Sequence, residues 1–187
     1  MRIISGSFKG KKILEPKDIK TRPLKDLTKE SIFNIIQHSN KFEIDLKKSN
    51  ILDLFSGVGS FGLECISRSA KKVTFIENSD DAIKQLNKNI NVLSIHKQTK
   101  IINNDVFNVL NEITDETYEI IFLDPPFDQK NFIQILELIY KFKIYKKNHI
   151  VVIHREKKSK DNLSDILDIK ITKEYGRSKI IFGKFLI

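Results

Sequence analysis

Residues 52–62 constrain the fold more than any other stretch of the chain. Leu52, Leu54 and Phe55 continue an apolar run that begins at 50. The run breaks into Ser56, Gly57, Val58 and Gly59, and apolar residues return at Leu63, Ile66 and Ala70 with helical spacing. A strand over 50–55 that turns directly into a helix over 60–69 is the start of a β-α-β unit, which commits a chain to a parallel sheet with covering helices. Gly57 and Gly59 remove side chains where backbone must come close to a ligand, and Gly62 lets the helix lie tightly against the sheet. The helix start then offers unpaired N–H groups.

The rest of the chain repeats the alternation. The sequence predicts strand 72–76 with helix 80–93, strand 99–103 with helix 106–113, strand 119–123 with helix 130–142, and strand 149–153. A charged segment over 154–162 follows. Two apolar runs, 166–175 and 179–187, are joined at Gly176 with no room for a crossover helix, so they read as an antiparallel hairpin at or near a sheet edge. Ahead of this core, 1–14 reads as a short basic β-hairpin turning at Gly6 and Gly10, 15–23 as a loop, 24–38 as a helix and 40–49 as a polar linker. The expected fold class is α/β, a mostly parallel sheet with a C-terminal antiparallel hairpin, plus a small N-terminal β-hairpin and helix. At 187 residues the chain is expected to form a single domain over 1–187, with a basic N-terminal part over 1–40 and the core over 50–187.

Composition narrows the function. Hydrophobic residues make up 40% and charged residues 30%, and no apolar run is long enough to span a membrane or to act as a leader. A single cysteine, Cys65, excludes an internal disulfide and, with four scattered histidines, a Cys/His zinc site, so no metal is expected. The expectation is a cytoplasmic monomer. Net charge is +9, and more than half of it lies within 1–22, where Arg2, Lys9, Lys11, Lys12, Lys17, Lys20 and Arg22 face only Glu15 and Asp18. Such concentration favours a polyanionic partner, and nucleic acid is the usual one.

Three further motifs carry chemistry. Glu77 ends the strand that follows the glycine turn, 20 residues after Gly57, where a carboxylate can accept both ribose hydroxyls of a dinucleotide or of S-adenosylmethionine. Asp124, Pro125, Pro126 and Phe127 end the strand 119–123. Ligands in such sheets bind at the carboxyl ends of strands, so Asp124 is expected to share a crevice with the glycine turn. An acceptor, rigid proline carbonyls and an aromatic platform suit one task, which is to hold the exocyclic amine of a planar base against an electrophile. Asp105, after Asn104, is suited both to cap helix 106–113 and to accept the adenine amino group of a cofactor.

These residues, with Arg2-Ile3-Ile4-Ser5-Gly6, Lys9-Gly10-Lys11, Arg22-Pro23, Asp26, Lys29-Glu30-Ser31-Ile32-Phe33-Asn34, Gly62-Leu63-Glu64, Ser67-Arg68 and Tyr175-Gly176, make the chain similar over nearly its whole length to a known family. It resembles the class I S-adenosylmethionine-dependent methyltransferases, which have a Rossmann-like sheet. Within them it resembles the bacterial enzymes that methylate guanine N2 of 16S ribosomal RNA. The glycine turn and Asp-Pro-Pro-Phe are shared by many amino-methyltransferases, and the N-terminal run is the specific part.

The resemblance implies roles. Asp53, Phe55, Gly57 and Gly59 would hold the amino-acid end of S-adenosylmethionine, Glu77 with Asn78 its ribose, and Asp105 with Val106 its adenine. Asp124, Pro125 and Pro126 would receive the guanine amine while Phe127 stacks on the base. Arg2, Lys9, Lys11, Lys12, Arg22 and Lys29 would hold ribosomal RNA, free or within the small subunit or its assembly intermediate, and Tyr175 or Arg177 would lie near the pocket wall. Leu24, Leu27 and Ser69 depart from the family pattern, which usually has threonine, a basic residue and a helix-ending glycine there. Three alternatives stay open on the sequence: a DNA adenine-N6 methyltransferase, a protein-glutamine or small-molecule N-methyltransferase, and a ribosome-assembly module that binds RNA without catalysis.

Overall fold

The computed structural model describes residues 1–15, 24–112, 116–126, 129 and 131–186. Seven strands form one sheet in the order β3-β2-β1-β4-β5-β7-β6. The strands are β1 (Asn50–Leu54), β2 (Lys72–Glu77), β3 (Thr99–Asn103), β4 (Tyr118–Leu123), β5 (Tyr145–Glu156), β6 (Leu167–Tyr175) and β7 (Ser178–Phe185). The first five run parallel, and β7 inserts antiparallel between β5 and β6. Among the described residues five α-helices accompany them: α1 (Asp26–His38), α2 (Ser60–Ser67), α3 (Asp80–Leu93), α4 (Val106–Glu112) and α5 (Phe132–Lys141).

Alternation of side chains along the strands divides the core into two layers. Ile51, Val73, Phe75, Ile120, Phe122, Ile150, Val152, Ile180 and Phe182 face one side and pack with residues of α1, α2 and α3. Leu52, Leu54, Ile76, Ile121, Leu123, Val151, Ile153 and Ile181 face the other and pack with α4 and α5. The central strands are buried on both faces, which is why they read as continuous apolar runs in the sequence. Among the described residues no helix is long and apolar enough to cross a membrane.

The expected bounds of β5 need correction. The segment 154–162 does not leave the sheet at once. Residues 154–156 belong to β5, and His154, Arg155 and Glu156 pair with Ile180, Lys179 and Ser178 of β7. The strand also begins earlier than the apolar run, because Tyr145 pairs with Tyr118 before the register shifts to Ile120 with Ile150. The N-terminal hairpin is reduced to one bridge, Arg2 with Lys12, flanked by hydrogen bonds such as Ile3 N–H to Lys11 O (2.9 Å) and Gly10 N–H to Ile3 O (2.9 Å). Several of its other donors turn inward to α2. Ile4 and Ser5 N–H donate to the Glu64 carboxylate (2.7 and 3.0 Å), and Ser7 N–H donates to Ser67 O (2.8 Å). Gly6 lies so close to α2 that an added Cβ would sit 1.8 Å from Ser67 O.

Candidate active site

The strand register places the candidate residues. Leu54 pairs with Ile76 on one side and Leu123 on the other, Leu123 pairs with Ile153, and Glu77 pairs with Asn103. One residue further along, Asn103, Glu77, Phe55, Asp124 and His154 therefore form a single row across the carboxyl end of the sheet. Asp124 N–H donates to Leu54 O (3.3 Å), tying the end of β4 to β1. The row lies at the strand ends where open α/β sheets bind ligands.

Asp53 lies just below this row and is 1% exposed. Its Oδ2 accepts the Gly62 N–H at 3.0 Å, which satisfies one of the open donors of α2, while its Oδ1 is buried with no hydrogen-bond partner among the described residues. Burial pushes its carboxyl well above the usual range. The Gly62 N–H opposes that shift, and the nearby Asp124 and Glu77 carboxylates add to it. A buried anionic oxygen without a partner is costly unless a positive group meets it. The site therefore has an acceptor suited to the ammonium of an amino-acid group.

The glycine turn closes over this carboxylate. Phe55, Gly57 and Gly59 all have positive φ (58°, 54° and 84°), and Phe55 is the unusual member because it carries a side chain there. Gly57 meets no neighbour where a Cβ would stand, so its left-handed backbone conformation, rather than packing, favours glycine there. Gly62 has a packing reason, since a Cβ there would meet the Phe75 ring at 2.3 Å. Glu77 accepts three backbone N–H groups: Gly57 at its Oε2 (2.7 Å), and Asn78 (3.0 Å) and Ser79 (2.9 Å) at its Oε1. It thus supports the turn and stays partly exposed, and Asn78 is exposed beside it. Asp105 caps α4, since its Oδ1 accepts Phe107 N–H at 2.8 Å; Val106 is buried below it.

Asp124 is held from β5. His154 Nδ1 lies 2.8 Å from Asp124 Oδ1. The next residue, Arg155, is 4% exposed and makes a forked pair with Asp161 (2.9 and 3.1 Å). Its guanidinium carbon sits 4.7 Å above the Phe132 ring, and its remaining nitrogen donates to Pro126 O at 3.4 Å. Burial raises the Asp161 carboxyl, but the hydrogen bonds and charge of Arg155, with the nearby Lys179, outweigh it and hold the group below the usual range. Pro126 O also accepts Gln129 N–H (3.0 Å), so this carbonyl is occupied. Pro125 is buried and Pro126 exposed, while Phe127 lies outside the described residues.

His154 and Arg155 are absent from the sequence-derived site, yet the signal was present. Ile150 to Ile153 is a buried apolar run like Ile120 to Leu123, and the polar residue ending each run occupies the same row.

The basic set divides. Lys9, Lys11 and Lys12 are exposed, and Arg2 is exposed with its Nε on Asp26 Oδ2 (3.0 Å). Arg22 lies outside the described residues. Lys29 is corrected, because it is fully buried and cannot present itself to a nucleic acid. Its Nζ donates to Arg2 O (2.8 Å), lies 3.5 Å from Ser60 Oγ and pairs with Glu64 at 3.8 Å. Burial lowers its ammonium below the usual value, against the pull of Glu64 and Asp26. Tyr175 reaches α1 through a hydroxyl contact with Ser31 Oγ. Leu24 is buried and Leu27 is exposed.

Comparison with known proteins gives a consistent picture. The family model described as "Conserved hypothetical protein 95" matches residues 1–184. The ribosomal RNA small subunit methyltransferase D of Haemophilus influenzae is 33% identical over 159 residues, covering 84% of this chain and 79% of that protein. The protein of the same name from Buchnera aphidicola is 35% identical over 156 residues, covering 83% and 78%. The solved structure of a putative methyltransferase from Escherichia coli superposes with a TM-score of 0.85 over 99% of this chain and 97% of that one, at 24% identity, and so shows the shared fold.

Proposed function

Because the chain belongs to the Conserved hypothetical protein 95 family and shares the Rossmann-like methyltransferase fold, we propose that it is an S-adenosylmethionine-dependent methyltransferase of ribosomal RNA. Its methylated atom would be the exocyclic N2 of a guanine in 16S RNA, within the small subunit or its assembly intermediate, and the enzyme would work as a cytoplasmic monomer. The names of the relatives support the ribosomal substrate. The observation that carries the chemistry is the row of Glu77, Phe55 and Asp124 at the carboxyl ends of adjacent strands, with Asp53 and its unpartnered oxygen just beneath.

Asp53 would face the cofactor's ammonium, with Gly57 and Gly59 leaving room for its amino-acid end. Glu77 and Asn78 would take the ribose hydroxyls, and the Asp105–Val106 turn would border the adenine. The bound cofactor supplies a sulfonium methyl as electrophile. The protein's task is then to present the amine. A conjugated amine is a weak nucleophile because its lone pair is delocalised into the ring. Asp124 and the Pro125 carbonyl would accept its two N–H groups, turn the lone pair toward the methyl and spread the positive charge that develops. Phe127 would stack on the base, and alignment would supply much of the acceleration. A paired guanine cannot reach such a pocket, so a loop or flipped nucleotide is the substrate. The exposed Lys9, Lys11 and Lys12, with Arg2 and Arg22, would bind the phosphate backbone.

The test is incubation with S-adenosylmethionine and small subunits from cells lacking the gene, with free ribosomal RNA and duplex DNA in parallel, followed by nucleoside mass spectrometry. The expected product is N2-methylguanosine in RNA, lost in Asp124→Ala. Methyladenine in the DNA lane would replace the substrate assignment with the DNA reading.

A further inference from the structure

We propose that His154 is the positioning residue for Asp124, fixing its carboxylate so that one oxygen is committed to the imidazole and the other is presented to the acceptor amine. This rests on the methyl-transfer reading above and adds to it a residue and an atom assignment.

The geometry starts from the sheet. His154 follows Ile153, the register partner of Leu123, so it stands beside Asp124 in the terminal row. Its side chain is 11% exposed, and its backbone is held by pairing of β5 with Ile180 of β7. The imidazole is therefore anchored by a strand rather than by a loop. Asp124 has left its strand, since Pro125 and Pro126 follow it and end β4. The torsion that orients an aspartate carboxylate is soft and roughly two-fold, so a residue at the end of a strand needs an external partner to hold one orientation. His154 Nδ1 at 2.8 Å from Oδ1 is that partner.

A carboxylate can only accept, so the imidazole donates from Nδ1. Among the described residues Asp124 Oδ2 has no hydrogen-bond partner, which leaves it for the substrate. Arg155, the next residue of the same strand, performs the parallel service on the loop itself by donating to Pro126 O. Two consecutive residues of β5 thus hold two of the three residues in Asp124-Pro125-Pro126. That arrangement distinguishes a splint for the acceptor site from incidental packing at a strand end.

The substitutions separate this role from a structural one. His154→Asn keeps an amide nitrogen near the Nδ1 position, whereas His154→Gln carries its amide nitrogen out toward the Nε2 position. Misplacement of a reacting group by about 1 Å costs on the order of 100-fold in rate. His154→Ala and His154→Gln are therefore expected to lower kcat by roughly 10- to 100-fold with little change in KM for S-adenosylmethionine, and His154→Asn is expected to recover most of the loss. Equal kcat in all three variants, or a loss that tracks only the thermal midpoint, would overturn the proposal.

A readout free of turnover accompanies this. Ring-nitrogen NMR of 15N-histidine-labelled protein should show His154 Nδ1 protonated, with a resonance that moves in Asp124→Ala. An unprotonated Nδ1, or a resonance indifferent to Asp124, would also overturn it. Wild-type protein that transfers no methyl to any acceptor, yet shows the coupled Nδ1 signal, would instead reject the methyl-transfer reading and leave the His154–Asp124 pairing standing.

Discussion

Asp53, proposed above to face the cofactor's ammonium, is held at a cost to the fold. It is nearly inaccessible, one oxygen caps the start of α2 through Gly62, and the other has no partner among the described residues. Burial is the main cause of its raised carboxyl, with Asp124 and Glu77 adding to it. The folded protein therefore holds this proton more tightly than the unfolded chain. The group's contribution to stability is complete below the ordinary carboxyl range, about pH 3.9, and is lost as pH rises through the raised value. Asp53→Asn exchanges an unpartnered anionic oxygen for a neutral amide with a smaller desolvation cost, and its carbonyl can still accept from Gly62. The variant is expected to melt higher than wild type at pH 8, with the difference vanishing under acid conditions, as followed by circular dichroism. The same variant is expected to bind S-adenosylhomocysteine about tenfold or more weakly by calorimetry, since a hydrogen bond to a charged group contributes about 1.5–3 kcal/mol.

Helix α2 shows a similar compromise at its C-terminus. Ala70 N–H donates to Cys65 O (2.9 Å) and Ser69 N–H donates to Ile66 O (2.9 Å), which is the paired bonding of a Schellman cap. The residue that must adopt the left-handed conformation there is Ser69, with φ of 73°. Glycine is the usual occupant because it has no Cβ to strain. Ser69→Gly is therefore expected to raise unfolding stability by about 1 kcal/mol, measured by urea titration, with the denaturant slope unchanged. No site contact of Ser69 is evident, so catalytic rates should not move.

On the scale of the molecule, the N-terminal segment is fastened to the sheet layer rather than appended to it. Ile3, Ile13, Leu24, Ile32, Phe33 and Ile36 belong to the same apolar cluster as the strands and α2. At its centre is the fully buried Glu64, which receives the Ile4 and Ser5 N–H groups and Arg68 Nε (2.8 Å) and pairs with Lys29. We propose that the chain unfolds as one cooperative unit. Glu64→Ala would strand a buried lysine and several donors, and is expected to cost about 3–5 kcal/mol. Calorimetry should show a single transition in both wild type and variant. A separate early melt of the N-terminal segment would count against the proposal.

The linear pattern is sufficient for much of this protein. Local hydrophobic period and turn chemistry act over a few residues, so the sequence places α3 over 80–93, β3 over 99–103 and the antiparallel C-terminal pair close to where they stand. Lys29 was legible in the same terms, because it shares one helical face with the core residues Ile32, Phe33 and Ile36. Read as a positive charge it pointed outward, whereas read by its period it pointed inward. What the pattern does not carry is which strands become neighbours. The pairing of Asp124 with His154, 30 residues away, and of Arg155 with Pro126 follows from β5 lying beside β4, a long-range choice made by burial of both sheet faces. The unpartnered oxygen of Asp53 is of the same kind. A residue type and a motif announce a carboxylate at that position, but its desolvation and its like-charged neighbours exist only once three strand ends have been brought side by side.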